Sequence, residues 1–190
     1  MSNRHNLIGL HRFGGITLIE LIIVLAIVGI GASILLNSYR TTNANSQIAR
    51  VTSDLVSAIN TARQQSIARG TTITLSSIDQ SGTQQGGSNW AANGFATFKG
   101  SFANGAINDD TLLARFQDFG NTLDVSVSLR SAASQISSIE FRSNGVVRVD
   151  DSAISNIEMK ICDQRQRSRG KLLTISPIGQ VQNRDFSQCP

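Results

Sequence analysis

The sequence predicts an α+β chain in which one long N-terminal helix is followed by a β-rich domain, and three observations carry that prediction. Residues Ile16 to Leu36 form an apolar run broken by one charge, Glu20. Beyond it, apolar side chains recur at Ile48, Val51, Leu55, Ala58 or Ile59, and Ala62, the three-four spacing of an amphipathic helix. After Gly70 the pattern changes to short β-like stretches separated by turn residues.

Taken in order, the run of 21 residues from Ile16 to Leu36 is long enough as a helix to cross a bilayer core of about 30 Å. No proline interrupts the chain from there to Gly70, a natural helix stop, so one helix is expected over residues 16–69. Its first half, residues 16–36, reads as a membrane anchor. Residues 37–69 read as an amphipathic continuation packed on a sheet. Residues 70–190 supply the β-rich domain, with strands expected near Thr71–Ser77, Gly94–Lys99, Leu112–Gln117, Leu123–Arg130, Ser137–Arg142, Val146–Asp150, Ile157–Cys162, Lys171–Ser176 and Gln180–Gln182. Asn144-Gly145 is the strongest hairpin signal. The stretches "SSIDQSGTQQGGSN" and "KGSFANGAINDD" read as loops.

Composition narrows the chemistry. The formal charge of +4 includes Arg4 and Arg12, which precede the apolar run, so loss of that segment leaves 4 − 2 = +2 and no whole-protein argument for nucleic acid. Both histidines, His5 and His11, lie in the same segment, so the rest of the chain lacks the commonest general base and metal ligand. No serine or cysteine has a candidate histidine partner and no phosphate-cradling loop follows a strand, so an enzyme is not expected. No cofactor or metal is expected either. The two cysteines, Cys162 and Cys189, pair most simply in an oxidising compartment, with free structural thiols as the alternative. Asp109–Asp110 and Asp150–Asp151 lack regular oxygen-ligand spacing and read as solvated turns. Trp90, the single tryptophan, reads as a filler between sheet and loop with its N–H bonded, against the alternative of a surface contact.

The N-terminus admits three readings. A secretory signal cleaved near Gly29-Ile30-Gly31 would put Glu20 inside its apolar segment, and Ile34, Leu35 and Leu36 continue past the site. A plain signal anchor, with Arg4 and Arg12 holding its start in the cytoplasm, leaves Glu20 unexplained. A carboxylate in hydrocarbon costs about 2.5 kcal/mol or more and calls for a partner.

The third reading supplies one. "GGITLIELIIVLAIVGI" resembles the class III signal of type IV pilins and type II secretion pseudopilins. The resemblance implies a leader of residues 1–15, cut by a prepilin peptidase between Gly15 and Ile16, and N-methylation of the new Ile16 amine. Glu20 then stands fifth in the mature chain, where one protomer's carboxylate meets a neighbour's N-terminal ammonium, since desolvated charges need such partners. Downstream, "SAINTARQQSIARGTTITLSS", "NWAANGFATFKG", "SIEFRSNGVV" and "MKIC" followed by "RGKLLTISPIGQVQ" follow the order of elements in the GspH/FimT group of minor pilins and minor pseudopilins. That resemblance implies the type IV pilin fold.

One cluster invites a different function. Lys160, Arg165, Arg167, Arg169 and Lys171 fall within "KICDQRQRSRGK" and form a basic comb for phosphates, or else a solvated hairpin loop. In DNA-binding members of the FimT group the resemblance puts a Gly-Arg-x-Arg motif where this chain reads Gly179-Gln180-Val181-Gln182. Both arginines are missing, so nucleic acid is not the favoured partner. The reading reached is a minor pilin of a type IVa pilus that helps to prime assembly at the tip, supporting motility, adhesion and DNA uptake. The alternatives are a minor pseudopilin of a type II secretion system and a DNA-binding pilus receptor. Expected partners are the prepilin peptidase, other minor pilins and the major pilin or pseudopilins, and the bacterial inner membrane, crossed once with the domain in the periplasm before the subunit enters a fibre or pseudopilus tip.

Overall fold

The computed structural model describes residues 17–82, 84, 86–87, 89–100, 111–117, 119, 122–130, 132–149, 152–153 and 156–189. The expected cleavage site at Gly15 and Ile16, the loop at 101–110 with Asp109–Asp110, and Asp150–Asp151 lie outside them. The chain divides into two compact units, Met1–Arg40 and Thr41–Pro190.

Helix α1 runs Leu18–Arg69, and both ends are set by local chemistry. At its start Thr17 is the cap: its Oγ1 accepts the Glu20 N–H at 3.3 Å, the side-chain-to-third-residue bond of a Thr-x-x-Glu capping box. At its end Gly70 adopts φ +63°. There the Thr71 N–H donates to the Ser66 carbonyl and the Gly70 N–H to that of Ile67, a Schellman stop that only a left-handed residue permits.

In the first unit the described side chains from Leu18 to Ile30 are exposed on every side of the helix, Leu18 at 76% and Ile27 at 65%. Among the described residues no helix is long and apolar enough to cross a membrane. The expected anchor, residues 16–36, runs partly beyond them, because the side chains of 33–38 are outside the description.

The second unit is built from two antiparallel sheets and the later part of α1. The first sheet comprises β1 (Ile73–Ser77), β2 (Phe95–Lys99), β3 (Leu112–Phe116), β6 (Ser138–Phe141), β7 (Val147–Val149) and β8 (Ser152–Ala153), in the order β3-β2-β1-β6-β7-β8. The second comprises β4 (Leu123–Leu129), β5 (Ala132–Gln135), β9 (Ile157–Asp163), β10 (Gln166–Ile175) and β11 (Val181–Phe186), in the order β11-β10-β9-β4-β5. Helix residues Ile48, Val51, Leu55, Ile59 and Ala62 enter one buried core with Ile73, Leu75 and Phe141 of the first sheet and Val127, Met159 and Leu173 of the second. Each fully buried aliphatic or aromatic side chain contributes about 1.5–3 kcal/mol. Strand β1 is buried along its whole length. Its other face, where Thr74 bonds to the Gly100 carbonyl and Ser76 to that of Ser137, lies beside a second small core of Ile78, Ala96 and Phe98.

The nine expected strands are all present, with shifted ends, and two more join them. β5 and β8 read as "AASQ" and "SA", too short and too polar to show alternation. They are strands because a neighbour supplies partners: Gln135 opposite Ser128, Ala153 opposite Arg148. β10 begins at Gln166 rather than near Lys171, so the expected hairpin loop across the basic comb shrinks to a turn at residues 164–165. Its polar residues sit on a strand with a register shift between Gln166 and Gly170, which backbone pairing tolerates.

The Asn144-Gly145 hairpin forms as a β-turn from Arg142, with the Gly145 N–H donating to the Arg142 carbonyl at 2.8 Å and Gly145 at φ +77°. The β10–β11 hairpin repeats this design, with the Gly179 N–H on the Ser176 carbonyl at 2.8 Å and φ +74°. The two turns are tied by the Val147 N–H on the Pro177 carbonyl at 2.9 Å, and a Cβ at Gly145 would press on Ile67 of the helix and one at Gly179 on Arg63.

Candidate functional site

Glu20 lies in the first turn of α1. There a carboxylate faces the positive end of the helix dipole and its own backbone N–H is held by Thr17. The Thr-x-x-Glu spacing before an apolar run is a signal readable in the sequence for this cap, and it engages the Glu20 backbone N–H rather than its carboxylate.

Cys162 and Cys189 are joined, with Cα atoms 5.7 Å apart. The bond spans 27 positions and pins residues 187–189 beside β10. It crosses directly over Gly170: a Cβ there would lie 2.6 Å from the Cys189 sulfur and 2.5 Å from the Ile161 carbonyl oxygen. Only glycine leaves that space.

The basic cluster is dispersed rather than presented as a comb. Arg165, in the turn, donates through Nε and a terminal nitrogen to both oxygens of buried Asp163, at 3.0 and 2.6 Å, and to Gln47 of the helix at 2.9 Å. Burial pushes the Asp163 carboxyl up, but the hydrogen bonds and positive charge of Arg165 outweigh it and hold it below the usual range. The hydrogen bond to Asp163 in turn raises Arg165, against the opposing effect of burial. Lys171 donates to Asp185 at 2.6 Å, and that bond lowers the Asp185 carboxyl. Lys160 stands 5.7 Å over the Phe186 ring, a cation–π contact. Arg169 is exposed beside the groove between α1 and β11. The Arg167 side chain lies outside the description.

Trp90 is fully buried, and its indole N–H donates to the Ile136 carbonyl at 2.9 Å. Phe95 packs beside it, with Phe116 and Phe119 stacked on Phe95. The neighbouring Asn89 accepts the Val125 and Ala91 N–H groups, while Ser77 Oγ donates to the Gly87 carbonyl. Gly87, Asn89 and Trp90 thus link the two sheets, a structural role for the tryptophan. Among the described residues no group of three histidine, cysteine, aspartate or glutamate side chains could hold a metal ion.

The profile described as Type II transport protein GspH matches residues 51–179, and that of the prokaryotic N-terminal methylation motif matches residues 10–36. The chain belongs to the GspH family. Its fold is similar to that of the type IV minor pilin FimU from Pseudomonas aeruginosa in two crystal forms. In one, 18% identity over 77% of this chain and 97% of that one gives a TM-score of 0.56. In the other, 20% identity over 73% and 96% gives 0.51. The minor pseudopilin EpsH from the type 2 secretion system of Vibrio cholerae follows at 12% identity over 74% and 97%, with a TM-score of 0.46. Among curated proteins none matches the chain. GspH membership makes this a pilin-type structural subunit, a family whose members assemble with other pilins or pseudopilins.

Proposed function

We propose that the protein is a minor pilin of a type IVa pilus that helps to prime assembly at the tip. The observation that carries the reading is one chain holding the methylation motif over residues 10–36 and the GspH profile over 51–179. In this reading the prepilin peptidase removes residues 1–15 between Gly15 and Ile16, the Ile16 amine is methylated, and residues 16–36 anchor the subunit in the inner membrane with its domain in the periplasm. Glu20 meets a neighbouring subunit's N-terminal ammonium, so each burial of charge is compensated between protomers. The disulfide suits an oxidising periplasm.

A second reading, a minor pseudopilin of a type II secretion system, is favoured by the description of the matching family. The DNA-receptor reading loses support from the engagement of Lys160, Arg165 and Lys171 with partners inside the chain.

Deleting the gene and complementing with wild type or Gly15→Leu tests the proposal. The expected result is loss of surface pili and twitching, restored by wild type and not by the uncut variant. Intact pili with a lost secreted-enzyme profile would transfer the protein to the second reading. Mass spectrometry of membrane-extracted protein that found residues 1–15 still attached to the wild type would end both.

A further inference from the structure

β11 is the outer strand of its sheet, paired with β10 on one side and with no strand on the other among the described residues. Along it runs a groove against α1. One part, a cavity of about 560 Å³, has Ile48 and Ala49 on the helix wall and Arg169, Lys171, Asp185 and Phe186 facing them. The next, about 360 Å³, has Ala49, Thr52 and Val56 opposite Lys171 and Asn183. Ala49 and Lys171 line both, so the two adjoin along the groove, and Ser187 of the tail that the disulfide pins lines the first.

The walls specify an occupant. An open strand edge is complemented by an extended main chain. The helix wall is low, made of Ala49, Thr52 and Ser53, so a strand can approach it closely while its alternate side chains reach Ile48 and Val56. The charge is unbalanced by one: Lys171 and Asp185 cancel across a 2.6 Å bond, whereas the Arg169 side chain, exposed beside them, has no hydrogen bond or ion pair among the described residues. Opposite charge on the partner answers such a group. A second copy of this chain would bring the same unanswered arginine, and its Asp185 is already held.

We propose that this groove binds an extended, carboxylate-bearing segment of a different pilin-fold subunit, which pairs with β11 and sets its carboxylate against Arg169. The inference rests on the reading of the protein as an assembly subunit. Arg184 and Asp185, exposed on the strand, discourage indiscriminate pairing of the edge and confine it to a complementary strand.

The test places the photoreactive residue p-benzoylphenylalanine at Ser53 of the full-length protein in cells and maps the crosslink by mass spectrometry. The expected crosslink joins Ser53 to an extended segment of another pilin-fold subunit with an aspartate or glutamate close by. Arg169→Glu should lower its yield by about tenfold or more, Arg169→Lys should keep it, and Ala49→Trp, which fills the groove from an exposed position, should abolish it at unchanged thermal stability. The same reagent at Thr61, exposed and turned by the helical repeat to a different side from Ala49, Thr52 and Val56, should give no such product. A crosslink to a second copy, to a protein outside the pilin fold, or to nothing, with the wild type recovered in the fibre fraction, overturns the groove proposal and leaves the assembly reading standing. Absence of the wild type from every fibre fraction overturns that reading, and the groove with it.

Discussion

Two stretches of the same helix bury their apolar side chains in opposite ways. From Leu18 to Ile30 the apolar residues occupy every side and all are exposed within the chain. From Ala44 to Ala62 most of them, Ala44, Ile48, Val51, Leu55, Ala58, Ile59 and Ala62, occupy one stripe that is at most 5% exposed. A helix apolar all round needs partners on all sides, and its side chains are left exposed among the described residues; a helix with one apolar stripe needs a single surface, and the two sheets provide it. The difference separates the stretch that folds the domain from one that, in the proposed reading, is left for the membrane and neighbouring subunits. Substitutions in the stripe should be felt in stability, and those in the apolar run only where subunits meet.

The sharpest break of this division is Glu20→Val. Processing, methylation and membrane insertion should persist while recovery in the fibre fraction falls to background, because a neighbour's ammonium would then be buried without a counter-charge. Normal incorporation, scored by immunoblot of sheared fibres, would remove that role.

Next in size is the contrast between Leu55→Ala and Leu25→Ala. Leu55 is 0% exposed and Leu25 62%. The first change should lower the unfolding free energy by about 2–5 kcal/mol and the second by less than about 0.5 kcal/mol, read by denaturant titration of the full chain in detergent. Equal losses would erase the division. Of comparable size is the disulfide. Replacing Cys162 and Cys189 by serine should cost about 3–4 kcal/mol in the chain-entropy view, and Gly170→Ala should leave both thiols open to alkylation, because its methyl occupies the path of the bond.

Smaller still is the pH dependence of the link from the β9–β10 turn to the helix. The Asp163 carboxyl is depressed in the folded state, so its contribution is fully present above the unfolded carboxylate value, near 3.9. It is lost as pH falls through the lower folded value. Asp163→Asn should flatten the acid limb of thermal stability below about pH 4, and an unchanged limb would deny Asp163 that part. The smallest effect is expected from Arg165, Arg167 and Arg169 changed together to alanine. Duplex DNA binding should be weak at physiological salt before and after, whereas tight binding whose salt slope falls by roughly one unit per lost phosphate contact would restore the DNA-receptor reading.

The sequence by itself determined the helix, its stop at Gly70, the switch to strands, the hairpin at Asn144-Gly145 and the methylation signal around Glu20, because each rests on periodicity or on residues a few positions apart. It also marked Cys162 and Cys189 as the simplest pair and Trp90 as a buried filler. Only the tertiary structure decided the rest. It made strands of "AASQ" and "SA" by giving them partners. It scattered the basic comb, because Asp163, Gln47, Asp185 and Phe186 reach it from the end of β9, the helix and the outer strand. It also required glycine at position 170, under a bond between residues 162 and 189. These are contacts between residues distant in the chain, and neither spacing nor residue type encodes which distant neighbour a side chain will meet.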